Sequence, residues 1–241
     1  MVEHTAESVQ RALRALAPAP DSKRVRDLQW FFKTGPGEYG EGDLFIGCTV
    51  PQTRAVAKRF RELPLEQLFM LLESPIHEDR LTALHILVGQ FLKAKTKAQR
   101  TELFDFYLDA VMRGCVNNWD LVDTSAPHFG QLLVEYPRKT LILTMARSDV
   151  LWERRVAMLF SFAHIRAGEF DVPVHLAMIL VNDKHDLMHK AVGWMLREIG
   201  KRDLSVLRGF LAKYHKTMPR TMLRYAIEKL DADERATWMA G

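Results

Sequence analysis

Four segments decide how this chain is read: EDRLTALHIL (78–87), WERRVAMLFS (152–161), MHKAVGWMLR (188–197) and MPRTMLRYAI (218–227). Set one above another, they place Arg80, Arg154, Lys190 and Arg220 in one column, and Ala83, Ala157, Gly193 and Leu223 three residues later. The interval from Arg80 to Arg154 is about twice the others, and Asn118 stands halfway, with Leu121 three residues on. The steps are then roughly 38, 36, 36 and 30 residues, the period of stacked two-helix repeats. Small or apolar residues at the third position would let neighbouring helices approach closely. The expected fold is all-α: a curved solenoid of two-helix repeats forming a single domain over 1–241, with one helix of each pair lining a concave groove.

Hydrophobic periodicity outside these segments agrees. Helices are expected at 5–17, 21–33, 51–62, 65–73, 78–93, 97–113, 119–136 (broken near Pro127), 138–147, 151–167, 172–182, 186–201, 203–214 and 219–230. Asp21, Pro51, Asp171 and Pro219 mark beginnings, and Gly114, Gly168 and Gly200 mark ends. Only DLFIGCTV (43–50) looks extended, and it is too short to found a sheet. The composition, 48% apolar and 27% charged, is that of an ordinary globular chain, and the net charge of +4 favours a polyanionic partner without proving one. Two cysteines in no motif point to a reducing compartment. With no long apolar run and no signal-like start, a cytoplasmic location is expected, nucleoid-associated when bound to DNA.

Counting from the column residue as zero, Trp119 and Arg155 fall at +1, Trp194 at +4 and Asp123 at +5. These offsets share one stripe of a helix. The +3 and +6 positions (Ala83 and Ile86, Leu121 and Thr124, Ala157 and Phe160, Gly193 and Leu196) should carry the interior. Three successive repeats could then aim Trp119, Asp123, Arg155 and Trp194 into one groove. The plainer readings are inter-repeat packing for the tryptophans and, for Asp123 in DTSAP (123–127), a cap before a helix starting near Pro127. Asp120 reads as a first-turn acid that complements the helix dipole.

NNWDLVDTSAPHFG (117–130), WERRVAMLFSF (152–162), HKAVGWMLREIGK (189–201) and GDLFIGCTVPQTRAVAK (42–58) together resemble the AlkD-type DNA glycosylases, the HEAT-like-repeat alkylpurine DNA glycosylases. The resemblance covers most of the chain, with residues 1–30 and the last ten least informative. It implies a HEAT-like solenoid with a concave DNA-binding groove, and hydrolysis of the N-glycosidic bond of cationic N3- or N7-alkylated purines in duplex DNA. Asp123 matches the catalytic aspartate, Trp119 and Trp194 the two groove tryptophans, and Arg155 the family arginine, with Arg154 the neighbouring possibility. No metal, no cofactor and no obligate protein partner is implied, and a monomer suffices. The insertion GPGEYGEGD (35–43) departs from the family and leaves the DNA contacts of the first repeats open.

Two further motifs carry less. GPGEYG (35–40) matches GxGxxG but follows an amphipathic helix, and Glu38, Glu41 and Asp43 would repel a pyrophosphate. HDLMH (185–189) is similar to a zinc-binding HExxH, with a shorter acid and no third ligand in view. Among clustered cations, Arg54, Lys93, Arg154 and Arg197 are the expected phosphate contacts. The competing expectations are a non-catalytic repeat protein that binds branched or distorted DNA, and a scaffold for a protein partner.

Overall fold

The computed structural model describes residues 4–240. Among these, fourteen helices make up the regular structure: α1 (Ala6–Arg14), α2 (Lys23–Phe31), α3 (Val50–Arg59), α4 (Leu65–Leu72), α5 (His77–Lys93), α6 (Lys97–Met112), α7 (Trp119–Glu135), α8 (Lys139–Met145), α9 (Leu151–Ala167), α10 (Asp171–Leu180), α11 (Asp186–Gly200), α12 (Leu204–Tyr214), α13 (Arg220–Ala226) and α14 (Ala232–Met239). The segment that looked extended contributes one isolated parallel bridge, Leu44 to Ile76, and no strand. No helix among the described residues is long and apolar enough to cross a membrane.

Local chemistry sets the ends. Thr49 and Thr96 each accept from the amide three residues on, and Gln52 and Gln99 reach back to complete capping boxes. Gly168 closes α9 in the left-handed conformation, φ 78°, which costs a glycine little. Two expectations need correction. α7 is not broken at Pro127 but runs through it. Pro127 has no N–H to give the Asp123 carbonyl, and in the same turn the Ser125 hydroxyl lies 2.6 Å from the Leu121 carbonyl. α14, unforeseen, is capped by Asp231, which accepts from Glu234 N, and it has no buried residue. That is why it left no apolar stripe to read.

The contacts divide the chain into two compact units, 1–125 and 126–241. In the first, α5 is the central element and packs on α1, α3, α4 and α6. Twelve of its seventeen residues are buried, as expected of a helix surrounded by others. In the second, α9, α11 and α13 lie side by side, α10 packs on α9 and α11, and α12 packs on α11. That alternation is the two-helix repeat the column spacing predicts. Ala83, Ala157, Leu121, Ile86, Phe160 and Leu196 are fully buried or nearly so, as expected of +3 and +6, whereas Thr124 is only half-buried.

Gly193 shows why the third position is small. A Cβ there would stand 2.5 Å from the Met222 carbonyl oxygen and 2.5 Å from Tyr225 Cβ, both on α13. Gly193→Ala must push α11 and α13 apart. It is expected to cost about 1–3 kcal/mol, the usual scale of overpacking, measured as a lowered denaturant midpoint at unchanged slope.

The column residue itself has a repeated structural role. Arg80 Nη1 donates to the Ser74 carbonyl, six residues back, at 3.0 Å, and Arg154 Nη1 donates to the Ser148 carbonyl, again six back, at 2.9 Å. Each guanidinium also meets a carboxylate, Asp43 for Arg80 and Asp183 for Arg154. The arginine ties the turn before its helix to an acid from another segment.

Candidate functional site

Trp119 opens α7, and its indole is held by aromatic packing. It stacks on Phe32 with centroids 5.3 Å apart and planes within 8°, and it meets Phe31 edge-on at 5.9 Å. Phe32 stacks in turn on Phe45 at 4.9 Å. Trp119 is half-buried, so the stack orients the ring without covering it entirely.

Beneath this stack lies a buried polar chain. His77, 1% exposed, has Nδ1 2.9 Å from an Asp43 oxygen and Nε2 2.8 Å from an Asp120 oxygen. Asp43 also receives Arg80 and, at 3.0 Å, the Asn118 amide. Burial opposes a charge on the His77 ring, but the Asp120 and Asp43 carboxylates outweigh it and hold the ring's pKa up at about 9. Burial likewise tends to raise Asp43, yet His77, Arg80 and Asn118 hold it below the usual carboxylate range. Glu78, beside His77, accepts from the Ile46 and Gly47 amides at 3.1 and 2.8 Å. The segment just after the 35–43 insertion is thereby strapped to α5. Asp120 keeps its expected place in the first turn of α7 and adds the His77 contact.

Asp123 stands one turn into α7, four residues after Trp119, and is half-buried. Because α7 continues to Glu135, Asp123 cannot be the cap of a helix beginning near Pro127. Its charge reaches Tyr107, a buried phenol pushed up first by burial and further by Asp123. Ser125 Oγ shares a 2.9 Å hydrogen bond with that phenol.

The same unit carries an open basic basin of about 880 Å³ between α3, α5 and the start of α6. Arg54, Lys58, Arg61, Lys93 and Lys95 line it, against Glu62 and Glu102. Arg61 is engaged by Glu62 at 3.1 Å. Arg54 and Lys93 are exposed and, among the described residues, have no acidic partner. His85, also on the wall, is driven down to about 4 by burial and by Arg54, and is therefore neutral near pH 7.

The second unit carries the other expected residues. Trp194, on α11, is half-buried and meets Phe162 of α9 at 5.7 Å, while Arg166 lies 4.1 Å over the same Phe162 ring. Three arginines differ from the expectation of free cations. Arg155 is 4% exposed and donates to the Leu187 carbonyl, inside the unit rather than on an open groove-facing stripe. Arg154 is held by Asp183 at 2.7 Å and by the Ser148 and Asp149 carbonyls. Arg197 is paired with Glu228 and lies 3.7 Å from Glu198. The physical reason for Arg154 is the repeat itself, since the column position is a tie between segments. His185 caps α11, accepting from Leu187 N at 3.2 Å, and His189 donates to the Asp183 carbonyl at 2.6 Å. In the GxGxxG segment, Glu38 and Glu41 accept from the Gly35 and Gly37 amides, each at 2.9 Å.

Asp43, His77 and Phe32 were not singled out as site residues from sequence. His77 in IHED, at a helix start just before a repeat column, was the available signal.

Known proteins agree with this architecture. The family model for the DNA alkylation repair enzyme matches residues 9–230. Among solved structures, a predicted DNA alkylation repair enzyme from Enterococcus faecalis superposes with a TM-score of 0.67 at 15% identity, covering 90% of this chain and 99% of that one. AlkD2 from Streptococcus mutans superposes with a TM-score of 0.53 at 18% identity, covering 86% and 98%. No curated protein matches in sequence. At these identities the structures show a shared fold, and the extent of the family match decides the rest: the chain belongs to the DNA alkylation repair enzyme family.

Proposed function

We propose that the protein is a DNA glycosylase that hydrolyses the N-glycosidic bond of cationic N3- or N7-alkylated purines in duplex DNA. The observation that carries this reading is Asp123, a half-buried carboxylate inside α7, one turn beyond an indole clamped by Phe31 and Phe32. Phosphate binding gives no reason for an acid there, whereas a cation formed in the substrate does.

An alkylpurine with a formal positive charge leaves as a neutral base. The C1′–N bond breaks with its electron pair going to the base, and oxocarbenium character develops on the sugar. Asp123 stabilises that charge, and water bonds to C1′ while giving a proton to the carboxylate. Trp119 packs against the sugar of the lesion, where an indole face attracts cationic character by roughly 0.5–2 kcal/mol. Trp194 is proposed for the same role. Arg54 and Lys93, exposed in the basin, are the proposed phosphate contacts. Arg155 would have to release the Leu187 carbonyl to reach a phosphate, and Arg154 and Arg197 their acidic partners.

Incubation with methylated duplex DNA, followed by chromatography of the soluble fraction, tests the reading. Free 7-methylguanine or 3-methyladenine supports it. Tight binding to junction DNA with no base released would instead favour a non-catalytic binder of distorted DNA. Weak, salt-insensitive binding would favour a protein scaffold.

A further inference from the structure

We propose that His77 is a positioning residue for base release: by bridging Asp43 and Asp120 it fixes the first turn of α7, and with it the orientation of Trp119 and Asp123. The kinetic consequence rests on the glycosylase reading, while the structural consequence does not.

Three observations converge on this role. Both ring nitrogens of His77 face carboxylate oxygens, at 2.9 and 2.8 Å. A carboxylate only accepts, so each nitrogen must carry a hydrogen and the ring is an imidazolium. The bridge is therefore a charged clamp between two anions, and loss of one proton breaks one side of it. Next, Asp120 follows Trp119 directly and precedes Asp123 by three residues. At about 100° per residue, pinning Asp120 sets the azimuth of both. Finally, the clamp has two supports. Asn118, just before α7, donates to the same Asp43 carboxylate, and Phe32 lies 5.0 Å from the His77 ring while stacking on Trp119.

The charged groups facing His77 are Asp43 from the 40–47 segment, Asp120 from α7, and Glu78 and Arg80 from its own helix, with Arg80 already engaged by Asp43. The folded ring titrates near 9, above the ordinary histidine value near 6.5. The clamp's contribution to stability is thus full below about pH 6.5, and the clamp itself is lost as pH rises through about 9.

The test uses the full chain labelled with 5-fluorotryptophan, the Trp119 fluorine line being identified by its loss in Trp119→Phe. In the wild type that line is expected to shift with a midpoint near pH 9, and in Asp120→Asn at lower pH, because one of the two anions holding the proton is gone. In the kinetic arm, at pH 7.5, Asp120→Asn is expected to slow single-turnover base release by about 10- to 100-fold, the scale of a small misplacement of a reacting group. DNA affinity should change by no more than about 2-fold. A Trp119 line blind to this titration, an unmoved midpoint in Asp120→Asn, or release at the wild-type rate would each overturn the proposal. If the wild type itself releases no base, the glycosylase reading falls, and the fluorine arm alone decides whether His77 positions Trp119. Asp120→Asn serves better than loss of His77, which would leave Asp43 buried with less compensation. A thermal melt of each variant separates misfolding from misplacement.

Discussion

Asp123→Asn is expected to lower single-turnover release of 7-methylguanine by at least about 100-fold while leaving binding to the same DNA measurable. The substitution keeps shape and removes charge. Asp123 lies in the interior of α7 rather than at its end, and asparagine and aspartate have similar helix propensities, so the fold should tolerate the change. What is lost, on the proposed mechanism, is a fixed negative charge beside a sugar that becomes cationic only in the transition state. Removal of one such preorganised contact typically costs about 10²–10³ in rate, or roughly 2.7–4 kcal/mol. Binding, for which phosphate contacts are proposed, should hold or tighten slightly as an anion leaves the interface. Full release activity in the variant would remove Asp123 from the mechanism.

The double variant Arg54→Ala/Lys93→Ala is expected to weaken DNA binding at every sequence and to flatten its salt dependence. Both cations are exposed and line the basin without an acidic partner among the described residues. Each phosphate contact contributes about 0.9 to the slope of log K against log salt, so the slope should fall by about 2. The single-turnover rate at saturating protein should stay near wild type, because neither residue touches the reacting bond. An unchanged slope would place the DNA backbone elsewhere. Arg154→Ala provides the contrast: its guanidinium is engaged by Asp183 and two carbonyls, so its loss should lower stability more than it changes the salt slope.

Much of the fold was legible in the sequence because helical periodicity and end signals are local. α9 spans 151–167 as its pattern predicted, and most other helices differ from expectation by only a few residues at an end. The repeat column was legible too, and its meaning is now physical: Arg80 and Arg154 bind the carbonyl six residues back. The same finding gives Arg154 a structural role beside the expected phosphate contact. A recurring arginine in a basic protein reads as a phosphate contact, whereas a repeated fold also needs a repeated tie. Arg155 was placed on a groove-facing stripe by counting offsets, but it is 4% exposed, on a helix buried on most sides.

The polar clamp under Trp119 was not legible. It joins Asp43, His77 and Asp120, which are 34 and 43 residues apart in sequence, and no period connects them. Asp43 read as one acid among several in a loop, and only burial reveals it as the partner of Arg80, His77 and Asn118. Whether Asp123 caps a helix starting near Pro127 also needed the structure. Proline favours a helix start, and only the continuity of α7 through Pro127 rules that cap out.

The central claim is that this chain breaks the bond between sugar and alkylated base. The most direct measurement is to incubate it with a duplex carrying a single 7-methylguanine and to count free base and abasic sites in the same sample. The account predicts that both appear together in equal amounts and that Asp123→Asn suppresses both. Retained binding with neither product, or loss of the methyl group with the base still attached, would contradict it.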